Sequence, residues 1–168
     1  MSDQEGTIDF ERLPEENQKQ IIERLRTIHS PQVIEHACNP RNLRRMEGPD
    51  ACQTVTGPCG DTMEIYLRVG TMGTHEEREE RIEEITFMTD GCESALACGS
   101  MLTTMARGMS LEEAGHIEPD DLLDALGGPP ETSAHCATLA VTTLREAIAE
   151  WYKRTRRQGR GSSRGQGS

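Results

Sequence analysis

Five residues of this chain are of the types that hold metal ions or attack sulfur: Cys59, Asp61, Cys92, His135 and Cys136. Thiolates accompanied by one imidazole or one carboxylate suit zinc or an iron–sulfur cluster. Thirty-two residues separate Cys59 from Cys92, and 43 separate Cys92 from Cys136. Zinc fingers and ferredoxin combs use far shorter gaps, so a shared site requires the fold to bring the ligands together. Each candidate stands where an element begins. Gly60 lies between Cys59 and Asp61, Gly91 precedes Cys92, and His135-Cys136 opens an amphipathic run. At a helix start, unpaired N–H groups and the positive end of the dipole favour a thiolate, which is the expectation for Cys92 and Cys136. The competing reading of the first pair is that Asp61 caps a turn and Cys59 is buried core.

The remaining thiols and imidazoles point elsewhere. Cys98 falls on the apolar stripe of Ala95, Leu102 and Met105, which makes it a small core residue. It is six positions from Cys92, about 240° around a helix, so the two do not readily share one metal. Cys38 ends a short helix and Cys52 sits in a turn, both incidental thiols. His29, His36, His75 and His116 lack a Cys or Asp partner at suitable spacing and read as surface or packing residues.

The elements that must position the five begin with two helices. Pro14 starts one carrying Ile21, Ile22, Leu25 and Ile28, and Ser30-Pro31 caps a second through Val33, Ile34 and Ala37. Asn39-Pro40-Arg41-Asn42 ends it, and the stretch to Pro58 is turn-rich, with a short strand at 53–56. From Cys59 the period changes to two. Cys59, Asp61, Met63, Ile65, Leu67 and Val69 share the core face, while Thr62, Glu64, Tyr66 and Arg68 share the other. A loop over 70–80 leads to a strand with Ile85 and Phe87 inward, which suggests an antiparallel meander. After Gly91 the pattern is helical: a stripe ended by Gly108, a capping box at Ser110 and Glu113, a short helix from Pro119, and a closing helix whose face is Ala137, Ala140, Val141, Leu144, Ile148 and Trp151. Thr132 or Ser133 caps that last helix. The fold class is α+β: a small antiparallel sheet of about three strands packed against C-terminal helices, with N-terminal helices before it.

With 168 residues, the chain suits one domain with modest extensions. The organisation expected is an acidic helical extension over 1–29, a domain over 30–152 and a basic, disordered tail over 153–168. The tail holds six bases and no acids, which leaves 12 bases and 29 acids, a charge of −17, on the first 152 residues. Such a body repels nucleic acid. No apolar stretch is long enough to span a bilayer, and the acidic start resembles neither a secretion signal nor a mitochondrial presequence, so no membrane partner and a cytoplasmic address are expected. In that compartment the six cysteines stay reduced.

Several segments recur together in a known order: Asn39-Pro40-Arg41-Asn42, Cys59-Gly60-Asp61, Gly91-Cys92 followed by Ser94-Ala95 and Ser100, the run from Gly108 to Ala114, and His135-Cys136 followed by Leu139-Ala140. Through them the chain resembles the U-type iron–sulfur scaffold family, the IscU and NifU N-terminal type, from about Ser30 to Tyr152. The resemblance implies a non-enzymatic scaffold on which a labile [2Fe–2S] cluster is assembled and passed to acceptor apo-proteins. It implies that Cys59, Cys92 and Cys136 hold the cluster, that Asp61 keeps it labile, and that His135 is an alternative ligand. It further implies that Zn2+ takes the same site when no cluster is present and that a cysteine desulfurase supplies the sulfur; the expected first acceptor is Cys136 or Cys59. Departures from the family pattern are Cys38 in place of an aromatic, Arg44 in place of Gly, and Cys98 where Ser is common. The Gly127–Ala134 segment lacks the Val-Lys that an Hsp70-type chaperone reads, which leaves that partner open, as it leaves a homodimer. Two alternatives stand beside the scaffold: a zinc-bound persulfide acceptor acting as a sulfurtransferase partner, and a structural zinc-binding adaptor.

Overall fold

A computed structural model describes residues 10–128 and 133–162, with side chains described from Glu11 to Gly159 across the same gap. After a single 3-10 turn at Phe10–Arg12, two helices follow, α1 (Glu15–Arg26) and α2 (Pro31–Cys38). Ser30 caps α2 by accepting from the Val33 amide, and Pro31 fills the first helical position, where a missing N–H costs nothing. Strands β1 (Ala51–Thr56), β2 (Thr62–Met72) and β3 (Glu79–Thr89) form an antiparallel sheet in that order. Helices α3 (Glu93–Ala106), α4 (Leu111–Gly115), α5 (Pro119–Ala125) and α6 (Ala134–Ser162) complete the α+β fold. Among the described residues no helix is long and apolar enough to cross a membrane.

The core lies between the sheet and helices α3 and α6. Met63, Ile65 and Leu67 of β2 and Ile85 and Phe87 of β3 face it, fully buried, as the alternation requires. Ile82 is buried too, three residues from Ile85, a spacing that a regular strand would turn outward. A register shift at Arg68/Val69 explains it: Arg68 pairs with Glu84 and Val69 with Ile82, so Glu83 is the extra residue of a bulge. Val69, expected in the core row, is only half-buried. From α3 come Ala95, Cys98 and Leu102, and from α6 Ala137, Ala140, Val141, Leu144 and Ile148, all buried. The α3 helix lies close to the sheet because Gly99 faces the Phe87 ring, and a Cβ there would overlap it.

Several expectations are corrected. Cys52 belongs to β1, not to a turn, and the loop between β2 and β3 is only residues 73–78. Tyr66 and Thr86 sit on the outer face of the sheet yet are buried. The segment 44–47 runs across that face: Arg44 pairs with Glu84 at 2.5 Å, Arg68 donates to the Glu47 carbonyl at 3.1 Å, and Met46 is buried. The basic end of the chain also differs, because α6 continues to Ser162 where disorder is expected from Lys153. Lys and Arg are good helix formers, and a running helix adds each residue cheaply once nucleated. Arg154 pairs with Glu150 one turn back at 3.1 Å. Residues 163–168 of that expected tail lie outside the described residues.

The Asn39–Asn42 motif anchors α2 to α3. The Arg41 amide donates to Ser100 Oγ at 2.8 Å, Ser100 Oγ also meets His36 Nδ1 at 2.7 Å, and Asn42 donates to Thr103 Oγ1 at 3.1 Å. Asn42 adopts φ +64, a conformation Asn tolerates; its carbonyl accepts from the Phe87 amide on β3 at 3.0 Å, and the Arg44 amide donates to the Phe87 carbonyl at 3.1 Å. His36 is therefore a packing histidine, held neutral by burial and by the Arg41 charge beside it.

Gly99→Ala should cost about 1–3 kcal/mol of stability, because the added methyl must displace α3 or the Phe87 ring. Urea denaturation measures it, and an unchanged midpoint would show that α3 does not depend on this close approach.

Candidate metal centre

The loop joining β1 to β2 carries Cys59 and Asp61. The Gly57 amide donates to the Asp61 carbonyl at 2.8 Å, and Gly60 turns the chain with φ +87 while its amide donates to Gly57 at 3.0 Å. Only glycine takes that φ without strain. Cys59 and Asp61 thus precede the strand instead of ending its inner row, and Cys59 is exposed rather than core.

The turn after β3 grips this loop. The Thr62 amide donates to Asp90 Oδ1 at 2.8 Å, Thr89 Oγ1 donates to the Thr62 carbonyl at 2.7 Å, and the Gly91 amide donates to Thr89 Oγ1 at 3.1 Å. A side chain at Gly91 would put its Cβ 3.2 Å from the Asp61 carboxylate and 2.6 Å from Ala95 Cβ. Glycine there lets the Asp61 carboxylate reach the start of α3, where Cys92 occupies the N-cap position and is exposed.

The third segment is the first turn of α6. Asp61, His135 and Cys136 have ligand atoms that all lie within 4.8 Å of one another. His135 is exposed and Cys136 is fully buried. Cys92 stands beside this trio, acting on Cys136 through charge and a thiol–thiol interaction. Cys59 is outside the trio, exposed on the same loop as Asp61. Three chain segments far apart in sequence therefore meet, and the donor set is what a soft or borderline cation takes.

Electrostatics departs from expectation at Cys136. Its thiol pKa is raised, first by burial, then by the charges of Cys92 and Cys98, the interaction with Cys92, and the Asp61 carboxylate. Desolvation thus outweighs the helix N-terminus, which was expected to favour the thiolate. Burial pushes Cys98 up to about 12, consistent with a core thiol, and raises Cys38 and Cys52 as well. All six cysteines are free.

A sequence model of the NifU-like N-terminal domain matches residues 28–158. The chain belongs to the NifU-like N-terminal domain family. It is 41% identical over 128 residues to the iron–sulfur cluster assembly scaffold protein IscU 1 of Archaeoglobus fulgidus, covering 76% of this chain and 78% of that protein. It is 36% identical over 127 residues to the scaffold protein IscU of Escherichia coli, covering 73% and 93%. The crystal structure of the N-terminal part of a NifU-like protein from Brucella abortus superposes with a TM-score of 0.58 at 17% identity, over 74% of this chain and 94% of that one, a likeness of fold.

In this NifU-like domain, sequence reasoning missed Thr89 and Asp90 and noted Gly91, Ser94 and Ser133 only as motif or cap residues, not as groups that hold the candidates in place. Thr89, Asp90 and Gly91 clasp the Asp61 loop, and Ser94 meets Ser133 in a buried hydroxyl pair at 3.1 Å. The only trace of them in the sequence is small and hydroxyl residues crowded beside the candidate ligands. Of the two proposed caps of α6, Thr132 lies outside the described residues, and Ser133 has its hydroxyl on Ser94.

Exposure and charge rank the thiols by reactivity. At about pH 8, iodoacetamide should alkylate Cys59 and Cys92 well before Cys136 and Cys98, because burial and a raised pKa leave little accessible thiolate. Peptide mapping of a timed reaction checks this, and equal rates at Cys59 and Cys136 would contradict the buried setting of Cys136.

Proposed function

We propose that this chain is a scaffold on which an iron–sulfur cluster is built and from which it is passed to acceptor apo-proteins. The observation that carries the reading is the convergence of Asp61, His135 and Cys136 within 4.8 Å beside Cys92, in a chain 41% identical to a cluster assembly scaffold. The cluster is cargo, of the [2Fe–2S] type, held by Cys59, Cys92 and Cys136 with Asp61, and with His135 as the alternative ligand. Zn2+ fits the same thiolate and imidazole donors when no cluster is present.

Sulfur arrives as the persulfide of a cysteine desulfurase. The receiving thiolate attacks the outer sulfur and becomes the persulfide, and the desulfurase thiolate leaves. Of the two thiols considered for this step, exposure favours Cys59, because Cys136 is buried and holds its proton. Reduction of that sulfur to sulfide draws two electrons from an external reductant. A carboxylate is a harder and weaker ligand for iron than a thiolate, so Asp61 leaves the cluster removable. A protein that hands its cargo on needs that weakness, and nothing in the sequence of steps requires it to turn over a substrate.

Anaerobic reconstitution with iron and sulfide tests the reading. The loaded protein should gain a visible band with matching iron and sulfide content, and Cys59→Ser, Cys92→Ser and Cys136→Ser should each lose most of it. A colourless protein that keeps only zinc would leave the persulfide-acceptor role in its place. Asp61→Ala should slow loss of the band to a chelator. Decay as fast as in the unaltered protein would remove Asp61 from the release step.

A further inference from the structure

The centre is assembled from two halves. One half comprises the Cys59–Asp61 loop and Cys92, joined by the bonds from Thr62 to Thr89 and Asp90. The other comprises His135 and Cys136 in the first turn of α6. Between them the described residues show one side-chain hydrogen bond, Ser94 Oγ to Ser133 Oγ at 3.1 Å. It is shielded from water, with Ser94 6% and Ser133 1% exposed. Ser94 is two residues after Cys92, and Ser133 is two before His135. The other polar links across the divide, from Cys92 and Asp61 to Cys136, run through the candidate ligand atoms themselves and are given up when those atoms bind a metal.

We propose that Ser94 and Ser133 form a latch that holds the His135–Cys136 ligands against the Cys92 half and so sets how long metal stays bound. These are positioning residues, since each hydroxyl is engaged with the other while the candidate ligand atoms are the carboxylate, imidazole and thiol groups beside them. For a cluster the inference rests on the scaffold reading above. For a simple cation it rests only on the ligand geometry.

A latch and a merely structural contact respond differently to paired substitution. Ser94→Ala or Ser133→Ala removes one hydroxyl and strands the other in a buried site, which destabilises the fold. Removing both strands nothing, so the double variant regains stability. The latch, in contrast, is broken equally in all three. The measurement is the rate at which zinc leaves each protein to a chromogenic chelator, read beside the thermal midpoint. Zinc release should be about fivefold to tenfold faster in both single variants. It should remain as fast in the double variant, whose midpoint moves back toward that of the unaltered protein. Release rates that return to the unaltered value with the midpoint would overturn the latch, as would unchanged rates in the single variants. Repeating the release with reconstituted cluster separates the two claims. Failure of the unaltered protein to take up a cluster, with zinc release still latch-dependent, would sink the scaffold reading and leave the latch standing.

Discussion

The Thr62 amide is held by the Asp90 carboxylate, and the Thr62 carbonyl takes the Thr89 hydroxyl. Everything at the centre depends on this knot, because it fixes the loop before β2 against the turn after β3. Two strand ends at the rim of a sheet would otherwise diverge with the sheet's twist. Tied together, they bring Asp61 to the entrance of α3, and the bare Cα of Gly91 allows the final approach. The other constraint acts from below. Gly99 lets α3 settle onto Phe87, so the helix that presents Cys92 takes its depth from a contact about 10 Å along its own axis. Rigid elements thus aim the candidate ligands, while the chain between them is free to be loop.

Much of this architecture was legible in the residues. Alternation along β2 identified Met63, Ile65 and Leu67 as inward, and all three are fully buried. The Ser110–Glu113 box is present with both of its bonds, and the α3 and α6 stripes face the core as their spacing demands. These features are encoded locally, within one or two turns or a few strand positions. The five candidate ligands were also legible as types, although the partner groups that bring three of them within 4.8 Å were not.

What stayed hidden depends on contacts between distant segments. Periodicity states which face a residue occupies but not what will cover that face: it set Tyr66 opposite the core row, and gave no sign that the 44–47 segment closes over that side of the sheet. A one-residue bulge at Glu83 resets the alternation of β3 so that Ile82, opposite Val69, faces the core together with Ile85 and Phe87, and no local signal marks it. The charge run after Lys153 reads as a solvated tail by composition, yet helix propagation from a well-packed segment carries it on to Ser162. Cys136 shows the same limit in electrostatics. Its place in a first helical turn suggested a thiolate, but burial among Cys92, Cys98 and Asp61 decides the matter the other way.

That burial has a thermodynamic consequence for whatever occupies the centre. With its pKa raised, Cys136 carries a proton at neutral pH, and a cation that bonds to its sulfur must evict that proton. Loading of a cation there would therefore be an exchange of one positive particle for another, not an addition. For each proton released, the apparent dissociation constant for the metal changes about tenfold per pH unit, as long as the thiol is protonated before loading. The surroundings that make a bare thiolate costly also make a metal–thiolate bond welcome, because the metal supplies the compensating charge that water cannot. At this position protonation alone keeps an empty sulfur unreactive, with no separate device needed.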